Sequence, residues 1–91
     1  MDKDDAFKSL HEKLAKDINW PQVYMFKFIV VAENKKIALI QSKFSDDATI
    51  QQKESSGGKY ISITVKEVML SADSVIERYK EISTIEGVIA L

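Results

Sequence analysis

The sequence predicts an α+β fold: a ferredoxin-like βαββαβ sandwich with a four-stranded antiparallel sheet, two helices on one face, and an extra N-terminal helix. Two segments, residues 23–31 and 59–70, have the β-branched and aromatic composition of central strands. A polar strand-like segment at 48–54 is typical of a sheet edge. This strand order puts the two most apolar strands in the centre of the sheet, so the composition and the topology agree.

The N-terminal helix is predicted over residues 2–17. Its apolar positions recur at spacings of three and four and share one face: Phe7, Leu10, Leu14 and Ile18. The Trp20-Pro21 pair ends the helix, because proline biases its predecessor towards extended geometry. Since this helix lies outside the βαββαβ pattern, we expect a division into an N-terminal helix, 1–19, and a sandwich domain, 20–91.

The first strand, VYMFKFIVV at 23–31, is apolar on both faces. One face carries Tyr24, Phe26, Phe28 and Val30, and the other carries Val23, Met25, Lys27, Ile29 and Val31. We therefore expect a central strand that is covered on both sides. The two helices of the fold can cover only one face, which leaves the other to the N-terminal helix or to a second copy of the chain.

The remaining elements follow in order. AENKKIALIQSKF predicts a helix over 32–44, and ATIQQKE predicts an edge strand. KYISITVKEVML predicts a central strand. One of its faces carries Ile61, Ile63 and Val65, and the other carries Tyr60, Ser62, Thr64 and Lys66. Ser71 predicts the N-cap of a last helix that ends near Ser83. Its apolar face consists of Ala72, Val75, Ile76, Tyr79 and Ile82. Glu86-Gly87 predicts a turn, and VIAL predicts a short final strand.

The stretch KESSGGKY, residues 53–60, resembles a phosphate-binding loop only at first sight. The Walker pattern needs G-x-x-x-x-G-K-[ST] ahead of a helix, so that backbone N–H groups converge on phosphate. Lys53 stands where the first glycine is required, Tyr60 replaces the Ser/Thr, and a strand follows. The stretch therefore predicts a hairpin turn of four or five residues, with glycine supplying a positive φ.

Composition excludes several classes of function. The chain has 91 residues, a net charge of −1 and no cysteine, which removes disulfides and cysteine metal sites and argues against a nucleic-acid partner. The acidic N-terminus lacks a signal peptide's apolar core, and no apolar run could cross a membrane. We expect a soluble cytoplasmic protein without metal or cofactor. His11 is expected to be an ordinary surface or interface residue, and the Asp46-Asp47 pair is expected to be solvated.

Two specific functions on this fold are disfavoured by missing residues. The aromatic pattern with which RNA-recognition domains stack bases is absent from GGKYISITV. An acylphosphatase-like enzyme would carry an arginine after the first strand, whereas the only arginine is Arg78 in the last helix. Ser55, Ser56 and Ser62 have no general base placed by motif. We therefore expect no catalytic residues.

Asn34, Lys35 and Lys36 form the one candidate binding site. Two lysines in a first helical turn oppose the helix dipole, and a bound anion would reverse that penalty. Solvated lysines are the alternative explanation.

The chain also resembles the YbeD-like family. The resemblance rests on WP and FKFIV in the first strand, ESSGGKYISITV across the hairpin and SVIERYKEISTIEGVIAL at the end, and it covers about residues 20–91. These small bacterial proteins of unknown function have an ACT-like, ferredoxin-like fold. The resemblance implies a small non-enzymatic domain similar to regulatory ACT modules, which bind amino acids at dimer interfaces. Because the loop VAENKK lacks the glycine usual in those modules, no site residue is transferred from them.

The expected function is a small non-enzymatic regulatory or protein-interaction domain. Its expected partner is a second copy of itself, in a homodimer, or another protein. The alternative is a small-molecule sensor for an anion or amino acid that uses the helix start at Lys35-Lys36.

Overall fold

The predicted order of helices and strands is confirmed. The computed structural model describes residues 3–55 and 57–91, and it contains α1 (Lys3–Asp17), β1 (Gln22–Val31), α2 (Asn34–Gln41), β2 (Thr49–Glu54), β3 (Tyr60–Met69), α3 (Ala72–Ser83) and β4 (Ile89–Ala90). The predicted helix start at Asp2 and the hairpin residue Ser56 lie outside the described residues.

The strands form a four-stranded antiparallel sheet in the order β2-β3-β1-β4. The two apolar strands are central and polar β2 is at an edge, as predicted. β4 is shorter than the predicted VIAL strand and pairs only with Phe28 and Ile29 of β1. One further hydrogen bond, from the Leu91 amide to the Lys27 carbonyl oxygen (2.8 Å), extends this pairing.

The core lies between the sheet and the helices and is aromatic at its centre. Phe26 and Phe28 of β1 are fully buried, and the Phe44 ring packs edge-on against Phe26 with 5.2 Å between ring centroids. Tyr79 of α3 reaches the same cluster, and its hydroxyl lies 3.1 Å from that of Tyr24. Burial, together with this hydrogen bond, raises the pKa of Tyr79 above its usual value. The face of β1 that packs on the helices is therefore the one that carries Tyr24, Phe26 and Phe28.

α1 packs against α3 on the helix side of the sheet, which decides one alternative that the sequence left open. Leu14 is buried in the common core, and the Trp20 indole N–H donates to the Leu14 carbonyl oxygen at 3.2 Å. The second face of β1 is therefore uncovered within a single chain, where Val23 and Met25 are each 56% exposed. For this chain alone, the expectation of a strand covered on both sides is wrong.

α3 begins and ends where predicted. The Ser71 hydroxyl oxygen accepts from the Ser74 amide at 3.1 Å, and the Ser74 hydroxyl oxygen accepts from the Ser71 amide at 3.2 Å. These reciprocal bonds satisfy donors that a helix start otherwise leaves unpaired. The predicted apolar face is confirmed, since Ala72, Val75, Ile76 and Ile82 are buried and Tyr79 is half-buried.

α2 is shorter than the helix predicted over residues 32–44. After Gln41 the amides of Lys43 and Phe44 bond to carbonyls three residues back, each at 3.1 Å, and the Ser42 hydroxyl donates to the Leu39 carbonyl oxygen at 2.6 Å. These tighter turns replace the α-helical pattern at the end of the helix. Phe44, which follows these turns, is nevertheless buried.

The β2–β3 hairpin confirms that the glycine stretch is a turn followed by a strand. Gly58 has a φ of 68°, in the left-handed region that glycine tolerates best. The turn is closed by hydrogen bonds from the Ser55 amide to the Tyr60 carbonyl oxygen and from the Gly58 amide to the Ser55 carbonyl oxygen, both 2.9 Å.

A buried ion pair connects β3 to α3 and to the loop before β2. Glu67 is 8% exposed, and one of its carboxylate oxygens lies 2.8 Å from Nη1 of Arg78, whose guanidinium covers the Phe44 ring. The other oxygen accepts from the Ser45 amide at 2.8 Å. Burial alone raises the pKa of Glu67, but the bonds from Ser45 and the charge of Arg78 outweigh it, so this pKa lies below its ordinary value of 4.5.

We expect Glu67→Gln to lower the free energy of unfolding by about 3 kcal/mol at neutral pH, because it leaves the Arg78 charge buried without a partner. The pKa of Glu67 is lower in the folded protein than in the unfolded chain, so its ionised carboxylate stabilises the protein at pH values above the unfolded-state pKa. This stabilisation is lost as the pH falls through the folded-state pKa. The difference between variant and wild type should therefore shrink below pH 4.5. Urea unfolding of the variant and the wild type, at neutral pH and below pH 4.5, measures this difference in the free energy of unfolding.

Glu77→Gln is the matched control, because Glu77 is exposed on α3, the helix that carries Arg78. We expect it to change the free energy of unfolding by less than about 0.5 kcal/mol. An equal effect of the two variants, or a Glu67→Gln deficit that is independent of pH, would contradict the role of the ion pair.

Gly57 and Gly58 should respond in opposite directions to alanine. Neither glycine has an atom within 4 Å of an added Cβ, so only the backbone conformation differs. Gly58→Ala should cost about 1–2 kcal/mol because its φ is left-handed. Gly57→Ala should stabilise by about 0.5 kcal/mol by restricting the unfolded chain. Thermal unfolding of both variants checks this, and equal shifts would contradict it.

Candidate functional site

The uncovered side of the sheet, here called the open face, combines exposed apolar and charged side chains. It consists of the odd-numbered residues of β1 from Val23, the even-numbered residues of β3 up to Val68, the odd-numbered residues of β2, and Ile89 of β4. The strand register places these side chains together, because directly paired residues in an antiparallel sheet point to the same side.

The two ends of the open face are apolar. At one end Val23 lies opposite Val68, and these two residues with Met25 form the edge patch; each is more than half exposed. At the other end Ile29 lies opposite Ile89, which is 59% exposed. Exposed aliphatic side chains at both ends are typical of a surface that contacts protein.

The middle of the open face is polar and positively charged. Lys27, Lys53 and Lys66, here called the lysine cluster, lie on three different strands. A shallow groove is lined in part by Lys27, Lys53, Ser62 and Thr64. None of the described strand positions on this face is Asp or Glu. The groove therefore offers ammonium and hydroxyl groups to a negatively charged ligand or partner.

One edge of the sheet is only half covered. The Lys27 carbonyl bonds to Leu91 on the β4 side, and backbone groups alternate sides along a strand, so Met25 and Val23 also point their N–H and C=O groups to that side. β4 reaches no further than Lys27, and within 3–55 and 57–91 no other strand pairs there. A second strand could add at this position.

The predicted site at Asn34, Lys35 and Lys36 lies at the start of α2. Its amides are partly used already, since those of Lys36 and Ile37 donate to the Glu33 carbonyl oxygen at 3.1 Å. A groove beside it is lined by Lys35, Lys36, Lys43 and Thr84 and by the acids Glu33 and Glu86. The two lysines do lie together, but carboxylates accompany them. Anion binding here stays a prediction.

His11 has a carboxylate partner that the sequence did not indicate. Its Nε2 contacts the Asp73 carboxylate across the α1–α3 contact, in a groove also lined by Phe7 and Lys8. Asp73 is 84% exposed, and the hydroxyl of neighbouring Ser74 donates to the Ser71 carbonyl oxygen at 2.7 Å. The Ser74 hydroxyl is therefore used in capping α3 and does not bond to His11. The His11–Asp73 pair is a surface contact between two helices.

The other residues that were considered as candidates in the sequence analysis do not join any of these sites. Asp46 and Asp47 are exposed in the loop before β2, and Arg78 is held by Glu67. In the described part of the chain, no group of three potential metal ligands comes together. Among the helices so described, none has the length and apolar content that crossing a bilayer requires.

Sequence reasoning missed the lysine cluster. Each lysine is unremarkable in the sequence, and only the pairing of β1 with β3 and of β3 with β2 brings the three together. A signal was present in the alternation: Lys27 is the one charged residue of VYMFKFIVV, and Lys66 shares the outward face of Ser62 and Thr64.

Comparison with known proteins adds a family match. The sequence model of a family described as "Protein of unknown function (DUF493)" matches residues 15–91. Curated relatives include a UPF0250 protein of Shewanella baltica, 31% identical, and one of Shewanella halifaxensis, 30% identical. Each match spans 83 residues and covers 87% of this chain and 94% of the relative. No solved structure matches the chain.

Proposed function

Since the chain belongs to the DUF493 family of proteins of unknown function, in agreement with its resemblance to the YbeD-like proteins, we propose a function from its surfaces. It is a small, cytoplasmic, non-enzymatic protein-interaction domain that acts as a homodimer. The observation that carries this proposal is the half-covered edge of β1 beside the exposed edge patch.

The free half of β1 favours the addition of another strand. Unpaired backbone N–H and C=O groups at a sheet edge are a template for pairing with a second chain. Here the free groups belong to Val23 and Met25, at a central strand that β4 covers in part only. Strand addition would satisfy these groups and would continue the sheet into the partner.

A second copy is the partner that fits best, because this edge is self-complementary. When two copies of β1 pair antiparallel about Tyr24, Val23 of each copy lies opposite Met25 of the other, on the open face. The two edge patches then become one apolar surface, and the contact is the same on both subunits, as closed two-fold symmetry requires. Burial of these exposed side chains supplies the hydrophobic contribution.

The non-enzymatic part of the proposal is supported by how the polar side chains are used. Ser74 caps a helix, Glu67 is held by Arg78 and Ser45, and Asp73 beside His11 is largely exposed. These contacts serve to hold helices and loops in place, whereas a catalytic base needs a positioned reactive partner.

We expect the mass measured by light scattering to rise towards twice the 10.3 kDa of the chain as the concentration increases. Met25→Pro should keep the protein monomeric, because it removes an N–H that points out of the β1 edge and leaves the β1–β3 ladder intact. Gln52→Pro is the matched control. Its amide points out of the opposite edge, since alternate residues of β2 bond to β3.

A side-chain pair of variants tests the same contact without changing the backbone. Val23→Lys should dissociate the dimer, because it places a charge in the joined apolar patch, whereas Leu39→Lys, which alters an exposed leucine on α2, should not. A monomer at every concentration would overturn the homodimer. So would dissociation by Gln52→Pro or Leu39→Lys to the same extent as by the β1 variants.

A second candidate function is an ACT-like sensor of a small anion or amino acid. The supporting observation is the groove that brings Lys35, Lys36 and Lys43 beside Thr84. Amides of Asn34 and Lys35 donate no backbone hydrogen bond within the described residues and could turn to a ligand.

Titration with inorganic phosphate, followed by NMR, tests this candidate. We expect shifts of the amides at residues 34–37 and a higher melting temperature, because a ligand bound only by the folded state stabilises it. Lys36→Gln should reduce both effects, and Lys16→Gln, an exposed lysine on α1, should not. Unchanged amide shifts at 34–37 would contradict the candidate.

A further inference from the structure

The lysine cluster is a concentrated positive surface in the middle of the open face. Lys27 is directly opposite Thr64, Lys53 is directly opposite Ser62, and Lys66 follows Thr64 on the same side of β3. Opposed side chains in antiparallel strands have Cβ atoms about 5 Å apart and diagonal ones about 7–8 Å apart. The three lysine residues are therefore neighbours of Ser62 and Thr64 on the same face of the sheet.

Charge is unevenly divided between the two sides of the molecule. The chain as a whole has a net charge of −1, yet the described strand positions of the open face carry lysines and no acid. Exposed acids lie on α3, for example Asp73, Glu77 and Glu81, and in the loops. The acid nearest to the open face is Glu54, at the hairpin end of β2, where it lines a groove with Lys53 and Tyr60. Lysines that share a surface without acids repel one another, and a negatively charged partner relieves this repulsion.

We propose that the open face binds an acidic segment of another protein, whose carboxylates pair with the lysine cluster and whose apolar side chains contact the aliphatic ends of the face. Charge complementarity selects this occupant. Stacking the open face on that of a second copy would bring the two lysine clusters together, and like charges across an interface are unfavourable. The homodimer proposed above uses the edge of β1 and the edge patch, and it leaves the lysine cluster and the Ile29–Ile89 end of the face accessible.

A nucleic acid fits the same surface less well. Sheets that bind single strands stack bases on aromatic side chains in the middle of the sheet. Here the middle positions are Ser62 and Thr64, and the exposed aromatic Tyr60 lies at the end of β3. The aliphatic ends, Val23 with Val68 and Ile29 with Ile89, are suited to apolar side chains of a protein.

This inference rests on the proposed function as an interaction domain, although it does not depend on the homodimer. The two are tested by different measurements. Light scattering reports the dimer, and the titration described next reports the acidic partner. Failure of one therefore does not imply failure of the other.

The test uses the full chain and three probes: a synthetic peptide of glutamate and leucine, the same peptide with glutamine for every glutamate, and an oligouridylate of matched length. At near-physiological salt we expect the acidic peptide to bind most tightly and to shift the amides of Lys27, Ser62 and Thr64 in NMR spectra. Binding should weaken as salt is raised. The double variant Lys27→Gln/Lys66→Gln should weaken it about fivefold or more.

Lys13→Gln/Lys80→Gln is the control, because it removes the same charge from exposed positions on α1 and α3. We expect the affinity of this variant to stay within about twofold of wild type, since the removed charges lie on the helix side. Equal weakening by the two double variants would overturn the proposal, as would equal binding of the glutamine peptide. Tighter binding of oligouridylate than of the acidic peptide would assign the surface to nucleic acid. If none of the three probes binds, the proposal is refuted.

Discussion

The structure depends on one constraint: a four-stranded sheet has two faces, and the helices of the described chain all pack on the same one. α2 and α3 cover the aromatic face of β1, and α1 packs against α3 instead of crossing to the other side. Fully buried Phe26 and Phe28 are the result on the covered side. On the uncovered side the same strand leaves Val23 and Met25 exposed. The function of the molecule is therefore to be sought in what that second face and its edges can bind.

The covered side is stabilised by contacts that draw separate parts of the chain to one place. Phe44 contacts both the Phe26 ring and the Arg78 guanidinium, and Arg78 pairs with Glu67 on β3. The Glu67 carboxylate also accepts the Ser45 amide, so the loop before β2 is held against the sheet. Because a buried charge is costly without its partner, removal of either Glu67 or Arg78 would destabilise the packing of α3 against the sheet.

The open face and the β1 edge offer different kinds of contact. The edge presents unpaired backbone groups and an apolar patch, which suit another strand, and above all a second copy of the same strand. The face presents the lysine cluster between aliphatic ends, which suits an acidic surface. A dimer joined at the edge would align two such faces side by side, and a partner with two acidic segments would then bind with higher avidity.

The sequence by itself determined the elements and their order. Alternation in VYMFKFIVV and KYISITVKEVML identified the central strands and the residues that share each of their faces, Ser71 marked the start of α3, and glycine marked the hairpin. These are local signals, because they depend on periods of two or 3.6 residues and on single turn positions. The proposed anion site at Asn34, Lys35 and Lys36 came from the same kind of local reasoning.

Only the tertiary structure decided where α1 packs, which half of the β1 edge is free, and that Lys27, Lys53 and Lys66 share a surface. The same holds for the pairing of Glu67 with Arg78. Each of these joins residues far apart in the chain. Strand register and helix docking bring such residues together, and both are set by the packing of the whole core, which no single segment specifies.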